Sequence, residues 1–167
     1  SLGNKRMKSV ILNLGVAAAL CLGASAQASV VNALPGGSAL DIPVLNISHT
    51  TNSLELAPGI VANPSGVANF TPGWTGGYGF ASNGYWDGTS MIGLDTSDGY
   101  FTIDFATAVS GFVGELNWTL GASGADATIS IYGSSGLLEN LTLEQAGNNM
   151  VQTGFWGFSR ANADITS

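Results

Sequence analysis

The sequence predicts an all-β fold, an antiparallel β-sandwich of jelly-roll type. From Tyr100 onward, short runs alternate apolar and polar residues with period two. Clusters of Gly, Ser, Asn and Asp separate these runs at turn spacing. No stretch after residue 28 shows a helix of ordinary length. Short strands, frequent turns and no helices together define a sandwich rather than a layered α/β domain.

The elements follow in chain order. Residues 1–6 precede Met7 and read as an upstream remnant. Residues 7–28 have the form of a signal peptide: Met7-Lys8 is a basic start, Val10 to Leu22 is apolar, and Ala26-Gln27-Ala28 is a small-x-small cleavage site. That apolar run is shorter than the roughly 20 residues a bilayer span requires. Cys21 follows Leu20, not the small residue of a lipid-anchoring signal. Residues 29–167 then form one domain, large enough to bury a core without disulfides or metal.

Within that domain, Ala39 to Ile47 and Leu54 to Phe70 are the weaker strand candidates. Pro43, Pro58 and Pro64 interrupt them, which suits edges and loops better than central strands. Thr71 to Gly88 reads as a loop of glycines and aromatics. Phe101, Ile103 and Phe105 share one parity. Phe112, Leu116, Trp118 and Leu120 share one face of a longer strand whose other face carries Glu115, Asn117 and Thr119. Ile129 and Ile131 continue the pattern, Gly133-Ser134-Ser135-Gly136 turns, and Leu137 to Leu143 and Val151 to Phe158 are two further strands. Ile165-Thr166-Ser167 opens a new segment after the Ser159 to Asp164 turn, so the domain is expected to lack its last strands.

After residue 28 the chain holds one cation, Arg160, against eleven Asp and Glu, a net charge of −10. Nucleic acid is excluded as a partner, because phosphate contacts need Lys and Arg. The same segment has no cysteine, which removes thiolate nucleophiles and Cys-ligated zinc.

Trp74, Tyr78, Phe80, Tyr85 and Trp86 crowd a glycine-rich frame beside Asn83 and Asp87. Flat aromatic faces stack on sugar rings while Asn and Asp bond hydroxyls, so Trp74, Tyr78, Asn83, Tyr85 and Trp86 are the candidate polysaccharide-binding residues. The competing structural reading has the rings fold back to cap the sandwich, the commoner fate of aromatics. Asp87, Asp95 and Asp98, with Asp126, lie in predicted loops and offer hard oxygen ligands for Ca²⁺. No twelve-residue calcium loop is present, and Asp before Gly is also simply a turn residue.

No catalytic set stands out. A serine triad needs an imidazole, and His49, the only histidine, sits in polar loop sequence. Glu115 is the best carboxylate for a glycosidase or lyase, yet an outward glutamate is what a half-buried strand normally shows. Asn46, Asn69, Asn117 and Asn140 each begin an N-x-Ser/Thr triplet, which reflects composition.

Leu34-Pro35-Gly36-Gly37, the Tyr78-Gly79-Phe80 to Tyr85-Trp86-Asp87-Gly88 loop, Phe101 to Gly114, Ile129 to Tyr132, Gly157-Phe158-Ser159 and Ala163-Asp164-Ile165 together resemble secreted bacterial β-sandwich proteins of the PEP-CTERM type. The resemblance covers most of the chain after residue 28 and rests on structural glycines and aromatics. It implies a Gram-negative exporter, a role at the cell surface or in extracellular polysaccharide, and no defined reaction. Proteins similar to this one end in a Pro-Glu-Pro element, an apolar helix and a basic tail that a membrane sorting enzyme recognises. None of these is in this sequence. The expected role is therefore non-catalytic: polysaccharide binding, or a purely structural envelope or matrix role, with a carbohydrate-active enzyme as the third class.

Overall fold

The computed structural model describes residues 27–65, 69–75, 90–94, 96, 99–118, 127–143 and 152–167, and every regular element among them is a β-strand. Ten strands form antiparallel sheets, none closed into a barrel, in the arrangement of a β-sandwich. They are β1 Ser29–Val31, β2 Leu54–Ala57, β3 Ile60–Pro64, β4 Phe70–Trp74, β5 Met91–Leu94, β6 Phe101–Phe105, β7 Gly111–Trp118, β8 Ala127–Gly133, β9 Gly136–Leu143 and β10 Gln152–Ser159. The sheets run β1-β10-β7, β2-β3-β6, β4-β5 and β8-β9.

The β2–β3 hairpin turns at Pro58-Gly59. A proline presets the first central position of a type II turn, and Gly59, at φ 76°, supplies the positive φ of the second. Pro64 does not make β3 an edge: β3 lies between β2 and β6, and Pro64 falls on its last residue, opposite Phe101. Strand ends tolerate the missing N–H that strand centres do not.

Two further differences from the sequence pattern have local causes. Thr71 to Trp74 belong to β4 rather than to the aromatic loop, and Thr71 and Pro72 are wholly buried. Ala39 to Ile47 forms no strand: Asn46 takes the left-handed conformation at φ 51°, and the segment crosses the end of β4 as a strap. The short strands β1 and β5 gave no alternation long enough to read.

Two apolar clusters make the core. Leu54, Ala62 and Phe70, with Ile92, Leu94 and Phe101 against them, pack β2, β3 and β6 onto β4 and β5. Ile131, Phe158 and Ile165, with Phe105, Val109 and Ile129, pack β8 onto β10. One strand serves both, since β6 sends Phe101 into the first cluster and Phe105 into the second, where its ring lies 5.9 Å from that of Phe112.

The last residues are woven in. Ile165 is wholly buried and exchanges both backbone bonds with Val109, at 2.9 and 3.0 Å. Phe105 N–H donates to the Thr166 carbonyl at 2.9 Å, and Tyr132 N–H to the Ser167 carbonyl at 2.8 Å. Arg160 holds the turn that delivers this segment: its guanidinium donates to both Asp164 carboxylate oxygens, at 2.6 and 2.9 Å. Those bonds hold the Asp164 carboxyl below its ordinary value.

Two outcomes follow. Ile165→Ala, by emptying a fully buried site, is expected to cost about 2–5 kcal/mol in urea-induced unfolding. A loose chain end would change stability by less than about 0.5 kcal/mol. A carboxyl with a lowered folded pKa contributes stability that is complete above its unfolded value, about 3.9, and is lost as pH falls through the folded value. Tm should therefore fall more steeply below about pH 4 in the native protein than in Asp164→Asn.

Candidate functional site

The aromatic segment predicted to bind sugar connects the paired strands β4 and β5, and the structure describes its two bases. On the incoming side Trp74 ends β4, half-buried, with Thr75 beyond it. On the outgoing side Ser90 precedes β5. Both bases are fastened to the strap. Asn46 Oδ1 accepts from Thr75 N–H at 3.0 Å and from Thr75 Oγ1 at 2.9 Å, while Ser90 Oγ donates to the Pro43 carbonyl at 2.9 Å.

The strap in turn is held by the strand. The Gly73 carbonyl accepts from Leu45 N–H at 2.9 Å and Asn46 N–H at 2.8 Å. Gly73 has φ 66°, and a Cβ there would run into the Pro43 carbonyl oxygen and lie 2.7 Å from the Leu45 nitrogen. Only glycine permits both the turn and the approach. At Asn46 the left-handed backbone suits an asparagine, which tolerates that region better than most residues.

Among the predicted binding residues, Trp74 alone is described. Tyr78, Asn83, Tyr85 and Trp86 lie outside the described residues, as do Asp87, Asp95 and Asp98. Among the described residues, no group of three or more His, Cys, Asp or Glu gathers as a metal site.

Glu115 is exposed on β7, across from Phe155 of β10, which is 54% exposed, so the carboxylate stands on open sheet surface rather than in a cleft. His49 is exposed at φ 57°, with Nδ1 2.6 Å from the hydroxyl of its neighbour Ser48. A contact between adjacent residues in a turn does not aim a nucleophile into a pocket. A cleft of about 230 Å³ lies at the end of β6, lined by Pro58, Ile60, Phe105, Ala106, Thr107 and Val109. It carries no ionisable side chain.

Sequence reasoning missed two polar arrangements. One is the Asn46–Thr75 fastening, whose partners lie 29 residues apart. The other runs from the residue before β2 across β3 to β6: Ser53 Oγ donates to Asn63 Oδ1, and Asn63 Nδ2 donates to Asp104 Oδ2 at 2.7 Å. Single polar residues facing each other across sheets leave no local spacing to read.

The structure thus defines a class, an all-β sandwich with an aromatic, glycine-rich insertion on a fastened stem. Comparison with protein-family models, with curated proteins and with solved structures gives no match to this chain.

The fastening is testable without a ligand. Asn46→Gly keeps the backbone conformation and removes the side-chain acceptor, so it should speed Thr75 amide exchange at least about fivefold. Asn46→Ala adds the left-handed backbone cost and should lower stability by a further ~1 kcal/mol.

Proposed function

We propose that this is a non-catalytic, secreted or surface-displayed β-sandwich protein that binds extracellular polysaccharide through the segment from Trp74 to Trp86. The observation that carries the reading is the stem: Thr75 and Ser90, on either side of the aromatic segment, are both tied to the Pro43 to Asn46 strap. Loops that carry binding residues gain affinity when a rigid scaffold fixes their bases, because less conformational freedom is lost on binding. The aromatic content supplies stacking faces, and Asn83 supplies a polar group for hydroxyls.

Calcium belongs to the proposal as a second component, with Asp87, Asp95 and Asp98 as its oxygen donors. A divalent cation would neutralise part of the −10 charge and order the carboxylates around it. A catalytic role gains no support from the exposed setting of Glu115.

The test is retention of the protein on immobilised bacterial and plant polysaccharides, in calcium and in chelator. Trp86→Ala should weaken retention at least about tenfold, roughly 1.4 kcal/mol, with Tm unchanged. Loss of retention in chelator would put the aspartates in the site. Unfolding of Trp86→Ala would make the ring part of the core, and no retention on any glycan would favour a structural matrix or envelope role.

A further inference from the structure

The β2-β3-β6 sheet has an inward and an outward face. Leu54, Ala62 and Phe101 point inward, onto β4 and β5. The residues that alternate with them point away from the strands that carry the aromatic segment, and neither apolar cluster includes one. The register lays these outward residues in rows. Glu55, Val61 and Asp104 form one row across β2, β3 and β6. In the next row Ser53 bonds Asn63, and Asn63 stands opposite Thr102. Tyr100 has the parity of Thr102 and Asp104 and continues the pattern: its N–H donates to Ser65 Oγ at 3.1 Å, and its carbonyl accepts from Ser65 N–H at 3.0 Å. An outward sheet face is ordinarily polar. This one is also ordered, because the Ser53 to Asn63 to Asp104 chain of hydrogen bonds holds the amide and the carboxylate in place. Val61 keeps Glu55 and Asp104 two strand spacings, about 10 Å, apart. Arg160, the one Lys or Arg after residue 28, bonds Asp164 instead of either. Beside the rows, Tyr100 is 67% exposed.

We propose that the outward face of β2-β3-β6 is a second polysaccharide site, and that it takes a chain of amino sugars carrying free ammonium groups. The site shares the polysaccharide class with the reading above but none of its residues. Charge selects the ligand. Glu55 and Asp104 pair with ammonium groups, whereas an anionic polysaccharide is repelled by a segment of net charge −10 and a neutral one forfeits both ion pairs. Ring hydroxyls complete the match, because the Ser53, Asn63 and Thr102 side chains can both donate and accept. Tyr100 supplies a flat face, on which a sugar ring or its ammonium group can sit. A basic peptide satisfies the two carboxylates but brings few hydroxyls to the Asn63 row, so it is the poorer occupant.

The probe is a hexamer of β-linked glucosamine titrated into the full chain, with the N-acetylated hexamer and hexalysine as comparisons. The glucosamine hexamer should bind saturably, at least about tenfold tighter than either, and more weakly as salt rises. Glu55→Gln combined with Asp104→Asn should weaken it at least about tenfold, and Tyr100→Ala at least about threefold. Asp104→Asn keeps an acceptor for Asn63; if it nonetheless lowers Tm, the exposed Glu55→Gln carries the test alone, with at least about threefold weakening. Glu115→Gln, on another sheet, should leave binding within about twofold. Equal weakening by Glu115→Gln overturns the proposal, because net charge alone would then attract the hexamer. So does equal binding of the acetylated hexamer or of hexalysine. Loss of the hexamer in Trp86→Ala but not in the face variants also overturns it and leaves the aromatic segment as the polysaccharide site. Binding at this face with no glycan retained through Trp86 supports it and overturns the other reading alone.

Discussion

The segment from Arg160 to Ser167 is where the sheets depend on one another. Hydrophobic contact alone orders two sheets loosely, because it has no direction. Backbone bonds do have direction, and those from Phe105 to Thr166, Val109 to Ile165 and Tyr132 to Ser167 run from both flanking sheets to a single segment. Ile165 adds a wholly buried side chain at the same place, in the cluster with Ile131 and Phe158. The relative position of β6 and β8 thus follows from one short stretch of chain. The turn before it is braced by the Arg160–Asp164 pair and by the Arg160 N–H bond to the Ser110 carbonyl at 2.7 Å.

This use of Arg160 has a consequence for the rest of the surface. The Arg160 side chain is only 7% exposed, and its guanidinium bonds Asp164 within its own turn and also feels the Glu139 carboxylate. No other Lys or Arg follows residue 28, so eleven carboxylates share a single Lys or Arg side chain among residues 29–167. A surface of this kind repels anionic polymers, and it draws cations and basic peptides. The calcium proposed at Asp87, Asp95 and Asp98 follows this field.

The sequence revealed the strands from Phe101 onward because each alternates over enough residues to establish a parity. Phe101 and Phe105 point to the core as the alternation requires, and Glu115 is exposed as its parity requires. It revealed less before Phe101, where the strands have three to five residues and proline disguises them. Pro72 is wholly buried in β4, and by parity with Phe70, whose carbonyl bonds Thr50, its missing N–H lies on the strap side of β4 rather than in the ladder with β5. Of the candidate site, composition marked the aromatic segment but not its stem. Asn46 reads as an ordinary loop asparagine, and its role comes from Thr75, which only the folded chain brings within reach.

The stem also bears on whether the aromatic rings bind or cap. Rings that only close the end of a sandwich are held by burial, and burial needs no polar fastening at the base of their loop. Here the chain keeps a left-handed asparagine, a glycine that no other residue can replace without a clash, and three side-chain hydrogen bonds at that base. Left-handed backbone is rarely held without a structural demand for it. A segment displayed to a ligand has that demand, because its geometry must persist before the ligand arrives. The proposal of binding thus rests on backbone geometry at the base of the segment rather than on the rings themselves.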